Sequence, residues 1–135
     1  MRNEFVSEEE RNRFDEILEG LIPELPARVR QVMEEVPIVV EDAPDEATMR
    51  KMKIKRPAGL LGLYHGVSID RRSLQDAPRL GDVVYLYRLG LLSVARRRDG
   101  VIHEPRLREE IRKTILHEIG HYHGMDEEEL EDLGY

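Results

Sequence analysis

His117-Glu118-Ile119-Gly120-His121-Tyr122-His123-Gly124-Met125-Asp126-Glu127 carries the chemistry of this chain. Two histidines four residues apart on a helix return to within about 40° of each other, so their imidazoles can share one divalent ion. Glu118 is turned by about 100° from His117, close enough to hold a water beside such an ion without binding the ion itself. His117 and His121 as metal ligands with Glu118 as general base form a minimal set for metal-assisted hydrolysis.

Working outward from this stretch, Pro105 suits the first turn of a helix that runs to about His123, with Gly124 as its stop. Leu107, Ile111, Ile115, Ile119 and Tyr122 gather on one side of that helix and form its core face, while Thr114, His117 and His121 occupy an adjacent arc. Gly120 places no side chain between the two histidines. Gly124 can adopt positive φ and turn the chain back toward the metal. Eight residues follow Glu127, so the third ligand is expected from the helix exit: Glu127 first, then Asp126 and His123.

Composition narrows the chemistry further. The chain has 135 residues, no cysteine, 36% charged residues and a net charge of −7. Without cysteine, thiolate zinc sites and disulfides are excluded, leaving histidine and carboxylate as strong ligands. A net charge of −7 argues against a general nucleic-acid binder, which needs a broad basic surface; Arg96-Arg97-Arg98 is a local exception. An acidic run follows the N-terminus with no apolar segment behind it, so neither signal peptide nor membrane span is expected and the cytoplasm is the default compartment. The length fits one domain over residues 1–135.

The chain before the motif reads as scaffold. Ser7 with Glu10 forms a capping-box pattern, and Phe14, Ile17, Leu18 and Leu21 make one apolar stripe, predicting a first helix that loosens at Gly20 and Pro23. A second helix should begin near Pro26 with Val29, Val32 and Met33 inward. Pro37 to Glu41 reads as a strand, Ala47 to Met52 as a helical turn and Leu60 to Tyr64 as a second strand interrupted by Gly62, which Val67 to Ile69 extends or pairs with. Lys51 to Arg56 alternates basic and apolar residues and reads as a solvated edge rather than a binding patch. Asp70 to Asp82 is a surface loop. Val83 to Arg88 is the strongest strand by propensity; it either offers a free edge to an extended peptide or lies inside the sheet with its tyrosines packed on the surface. Leu89 to Val94 and the arginine run then lead into a loop around Asp99-Gly100. His65 and His103 are expected at the surface without a metal role. The acidic tail from Glu127 to Asp132 would favour cationic substrates.

The pattern His117-Glu118-x-x-His121-x-x-Gly124-x-x-Glu127 resembles that of the zincin metallopeptidases, and more narrowly the small bacterial single-domain zincin-like family. The Met125-Asp126-Glu127 continuation, the short tail and the strand-rich segments Leu60 to Gly66 and Val83 to Arg88 fit it too. The resemblance implies an α+β zincin-like fold, with two N-terminal helices, a small mixed sheet and a C-terminal active-site helix. It also implies Zn2+ as cofactor, a metal-activated water and a peptide or protein as substrate. Two other readings keep the metal: a ribonuclease in which Arg96 to Arg98 hold phosphates, and an inactive module in which the ion is structural.

Overall fold

The computed structural model describes residues 5–66 and 82–123, with side chains as far as residue 120. The expected Val67 to Ile69 extension, most of the Asp70 to Asp82 loop, and Gly124 with everything after it lie outside the described residues.

Helix α1 spans Glu8–Leu21 and starts where the capping box predicts. The Ser7 hydroxyl accepts from the Glu10 N–H and the Glu10 carboxylate accepts from the Ser7 N–H, both at 3.1 Å, so two backbone donors at the helix start are satisfied. Phe14, Leu18 and Leu21 are buried along its inner stripe. A 3-10 turn at Ile22–Glu24 leads through Pro26 into α2, Ala27–Glu35, which buries Val29 and Val32.

Three short strands follow: β1 at Ile38–Glu41, β2 at Gly62–His65 and β3 at Val83–Tyr87. Their order is β1-β3-β2, with β1 parallel and β2 antiparallel to β3. The strand with the strongest propensity is therefore the central one, and both its edges are taken up by neighbours. It cannot receive a peptide, and the free-edge reading of Val83 to Arg88 is replaced by the internal one. Register puts Ile38, Val40, Val84, Leu86, Gly62 and Tyr64 on one face. Val84 and Leu86, both 0% exposed, are the heart of that face.

Helix α3, Glu46–Met52, is capped by the Asp45 side chain, which accepts from the Thr48 N–H at 2.7 Å. It ends at Lys53 in the left-handed conformation, so the basic stretch from Lys51 to Arg56 is a helix end and turn and not a sheet edge.

Leu89 to Val94 differs from the expected connector. It belongs to helix α4, Arg88–Ala95, which buries Leu89, Gly90, Leu91, Leu92 and Ala95. An element covered on several sides carries no amphipathic period, which is why its Leu-Gly-Leu-Leu run gave no helical signal. At its start the Arg88 guanidinium donates to Asp15 and Asp42, while Arg11 also donates to Asp42; this knot ties α1, the turn after β1 and α4 together.

Helix α5, Glu104–His123, closes the core. Leu107, Ile111, Ile115, Leu116 and Ile119 are each at most 1% exposed, so the expected stripe is present from Leu107 to Ile119 and Leu116 widens it; the Tyr122 side chain lies outside the described residues. Phe14 and Leu18 of α1 belong to the same apolar cluster as Ile111 and Ile115. Among the described residues the architecture is α+β, five helices around a small mixed sheet. No helix among the described residues is long and apolar enough to cross a membrane.

Candidate metal centre

Helix α5 is continuous through the whole His117 to His121 segment, so the two histidines stand one turn apart on one helix. Their local spacing is thus the one that lets i and i+4 side chains converge. The side chain of His121 lies outside the described residues, as do Asp126 and Glu127; His123 is the last residue of α5. His117 and Glu118 can be followed to their atoms.

Both are half-buried on the arc of α5 that borders β2. The Nδ1 atom of His117 is shut off from solvent, yet the residue lines an open pocket of about 330 Å³. Leu61, Gly62, Thr114 and Glu118 complete the nearest walls.

Strand β2 supplies the other half of the site. The backbone N–H of Tyr64 donates to Glu118 Oε1 at 2.8 Å. In the antiparallel register the N–H of Tyr87 donates to the Leu61 carbonyl, so the odd residues of this stretch face β3 and Tyr64 faces the opposite edge. Glu118 therefore sits against the outer edge of β2. A charge-assisted bond from a backbone amide holds a carboxylate in one place more firmly than a neutral pair would.

Gly62 makes this approach possible. A Cβ at this position would stand 2.5 Å from Thr114 Cγ2 and 3.0 Å from the Tyr85 carbonyl oxygen. Thr114 cannot turn aside freely, because its hydroxyl donates to the Glu110 carbonyl at 2.8 Å. What looked like an interruption of a strand is the contact that seats β2 on α5. From the sequence Gly62 was noted only as an interruption and the Tyr64 amide not at all; no local pattern marks a backbone group 54 residues from the carboxylate it holds.

The remaining candidates fall elsewhere. His65 is exposed and meets the Tyr85 ring edge-on, with centroids 6.5 Å apart, on the sheet face opposite Gly62 and Tyr64. His103 immediately precedes α5, about 20 Å along the axis from His117 at 1.5 Å per residue. Of the arginine run, Arg96 donates to Glu10 at 2.7 Å at that same distant end of α5. Tyr85 and Tyr87 stack on each other at 6.1 Å on the outer sheet face, and burial, with Glu41 nearby, pushes the Tyr87 phenol up to about 12.

Comparison with known proteins adds one match. The family described as zincin-like metallopeptidase matches residues 33–135, which takes in the sheet, α3, α4 and α5. Among curated proteins no sequence matches the chain.

Proposed function

Because the chain belongs to the zincin-like metallopeptidase family, we propose that it is a zinc-dependent peptidase acting through His117, Glu118, His121 and Glu127. The observation that carries this reading is the placement of the Glu118 carboxylate against the outer edge of β2, at the mouth of the pocket that His117 also lines. His117 and His121 would hold the ion with imidazole nitrogens and Glu127 with a carboxylate, Asp126 and His123 being the alternatives to it. That is a hard and borderline donor set suited to Zn2+. When bound, zinc supplies Lewis acidity that lowers the pKa of a water toward about 7 and polarises a carbonyl.

The chain's own residues then account for the rest. The Tyr64 amide keeps Glu118 at the strand edge, where its carboxylate accepts the proton of the attacking water and returns it to the leaving amine. Among the described residues no strand pairs with the edge of β2 that faces away from β3; with the Tyr64 N–H taken by Glu118, its remaining outward groups would pair with an extended peptide and bring the scissile bond beside Glu118. We also read residues 1–135 as one domain, a reading supported by the shared core of α1 and α5. The ribonuclease alternative gains no support, since Arg96 is engaged by Glu10 about 20 Å from the site.

The test is hydrolysis of an unstructured protein such as casein by the purified chain. Activity should vanish on chelation and return on adding zinc, and Glu118→Gln should abolish turnover while bound zinc, counted by metal analysis, stays near one per chain. Hydrolysis that survives Glu118→Gln would sink the assignment; zinc bound without any hydrolysis would favour the inactive module.

A further inference from the structure

Two of the contacts between β2 and α5 share one spacing. A Cβ at Gly62 would stand 2.5 Å from Thr114 Cγ2 and 3.7 Å from Glu118 Cγ, so the strand backbone lies against both side chains. Two residues further along the strand, the Tyr64 N–H donates to Glu118 Oε1 at 2.8 Å. Four residues of helix rise about 6.0 Å and two residues of strand about 6.7 Å, so Thr114 and Glu118 meet Gly62 and Tyr64 in register. The first contact therefore sets the separation of strand and helix at which the second forms.

Thr114 has both groups that this role needs. Its methyl is the atom pressed against Gly62, and its hydroxyl donates to the Glu110 carbonyl at 2.8 Å, which ties the side chain in the rotamer that presents the methyl. β-Branching makes χ1 stiff in a helix as well. Threonine is a poorer helix former than alanine, leucine or glutamine, so propensity does not account for it in the middle of α5. It lines the same pocket as His117 and Glu118. Glu118, by contrast, is a long side chain with much rotamer freedom to lose, and the amide on β2 can hold its carboxylate only where the strand is itself held.

We propose that Thr114 is a positioning residue for Glu118: its methyl is the spacer that keeps β2 where the Tyr64 amide fixes the carboxylate. The importance of that position for turnover rests on the peptidase reading; the spacer itself does not. Without the methyl, β2 loses its support at Gly62 and the bond one helical turn further along loosens. The opposite edge of the strand is held independently of α5, because the Tyr87 N–H donates to the Leu61 carbonyl at 3.0 Å. That bond is an internal reference against general weakening of the fold.

Amide hydrogen exchange, followed by NMR on the purified full chain, tests the spacer without turnover. In Thr114→Ser, exchange at Tyr64 should quicken at least about tenfold relative to exchange at Tyr87. Valine keeps a methyl toward Gly62 in its dominant helical rotamer, so Thr114→Val should leave that ratio within about threefold of the wild type. Equal quickening at both amides in Thr114→Ser, or a ratio in Thr114→Val as high as in Thr114→Ser, overturns the proposal. On a casein-derived peptide with zinc supplied, Thr114→Ser should lower kcat at least about tenfold with KM within about twofold, and Thr114→Val should restore kcat. A kcat untouched by Thr114→Ser while the exchange ratio changes refutes the positioning role and leaves the peptidase reading intact. The expected exchange ratios without cleavage of any substrate leave the spacer standing and refute the peptidase reading.

Discussion

Gly62→Ala measures how tightly β2 is seated on the helix that bears Glu118. The added methyl would stand 2.5 Å from Thr114 Cγ2, and ordinary carbon contacts begin near about 3.5 Å, so the strand must retreat by roughly 1 Å. The same retreat would stretch the 2.8 Å bond from the Tyr64 amide to Glu118 beyond hydrogen-bonding range. Gly62 does not have positive φ, and at such a position glycine to alanine ordinarily stabilises by about 0.4–1 kcal/mol through the unfolded chain. Overpacking costs about 1–3 kcal/mol, so the net sign should be destabilising. Urea unfolding of Gly62→Ala would read it. Thr114→Ser removes the offending Cγ2 and keeps a hydroxyl for the Glu110 carbonyl, so the double variant should recover part of the loss; the 3.0 Å approach to the Tyr85 carbonyl prevents full recovery. If Gly62→Ala is neutral or stabilising, or if Thr114→Ser makes no difference to it, β2 is not pressed against α5 as described. In the active protein a misplacement of about 1 Å at the general base should also lower kcat by about 100-fold, well beyond its effect on KM.

Other consequences follow from buried or paired groups. The Tyr87 phenol, raised to about 12 by burial, stays protonated in the fold where the unfolded chain already ionises. Its contribution is therefore complete below the unfolded value near 10 and lost as pH rises to about 12; Tyr87→Phe should remove on the order of 2 kcal/mol of that alkaline loss in thermal melts. Arg88→Met keeps an unbranched apolar side chain but removes the guanidinium from over the Phe14 ring and its bonds to Asp15 and Asp42, and should cost about 1–2 kcal/mol at neutral pH, discounted because both carboxylates are partly exposed. Hydrogen bonding from Arg11, and then from Arg88, holds the Asp42 carboxyl below its usual value. That stability is present above the unfolded carboxylate pKa near 3.9 and fades as pH falls through the lower folded value, so the gap between Arg88→Met and the wild type should close in acid; an undiminished gap at about pH 2 would point to lost packing instead.

What could be read from the sequence was what neighbouring residues decide among themselves. The Ser7–Glu10 capping box joins residues three apart, and α1 begins there. The core stripe of α5 and the His117–His121 spacing are equally local, and the helix spans both. The expectations that failed or stayed open depended on what lies across the fold. Propensity marked Val83 to Tyr87 as a strand but could not say that β1 and β2 would flank it, because pairing is chosen by partners distant in sequence. Leu89 to Leu92 lost its helical period to burial on all sides, and Lys51 to Arg56 had the alternation of a strand although it is a helix end.

The site divides along the same line. Its proposed metal-binding half is one turn of α5, legible because His117 and His121 recur at helical spacing. Its other half is a backbone amide and a missing side chain on β2. An amide belongs to every residue, and Gly62 taken alone signals only a weakened strand. Only the fold shows that the glycine removes a Cβ that would collide with Thr114, and that the amide two residues on then reaches Glu118. A general base on a helix is held by its own helix at Cα alone; the strand edge fixes the carboxylate, and the same edge is the one an extended peptide would pair with. Placing base and peptide on one short strand ties the position of the proton acceptor to that of the bond to be cut. Gly62→Ala, which moves the strand, should for that reason impair turnover more than any comparable change on the outer sheet face at Val39 or Tyr85.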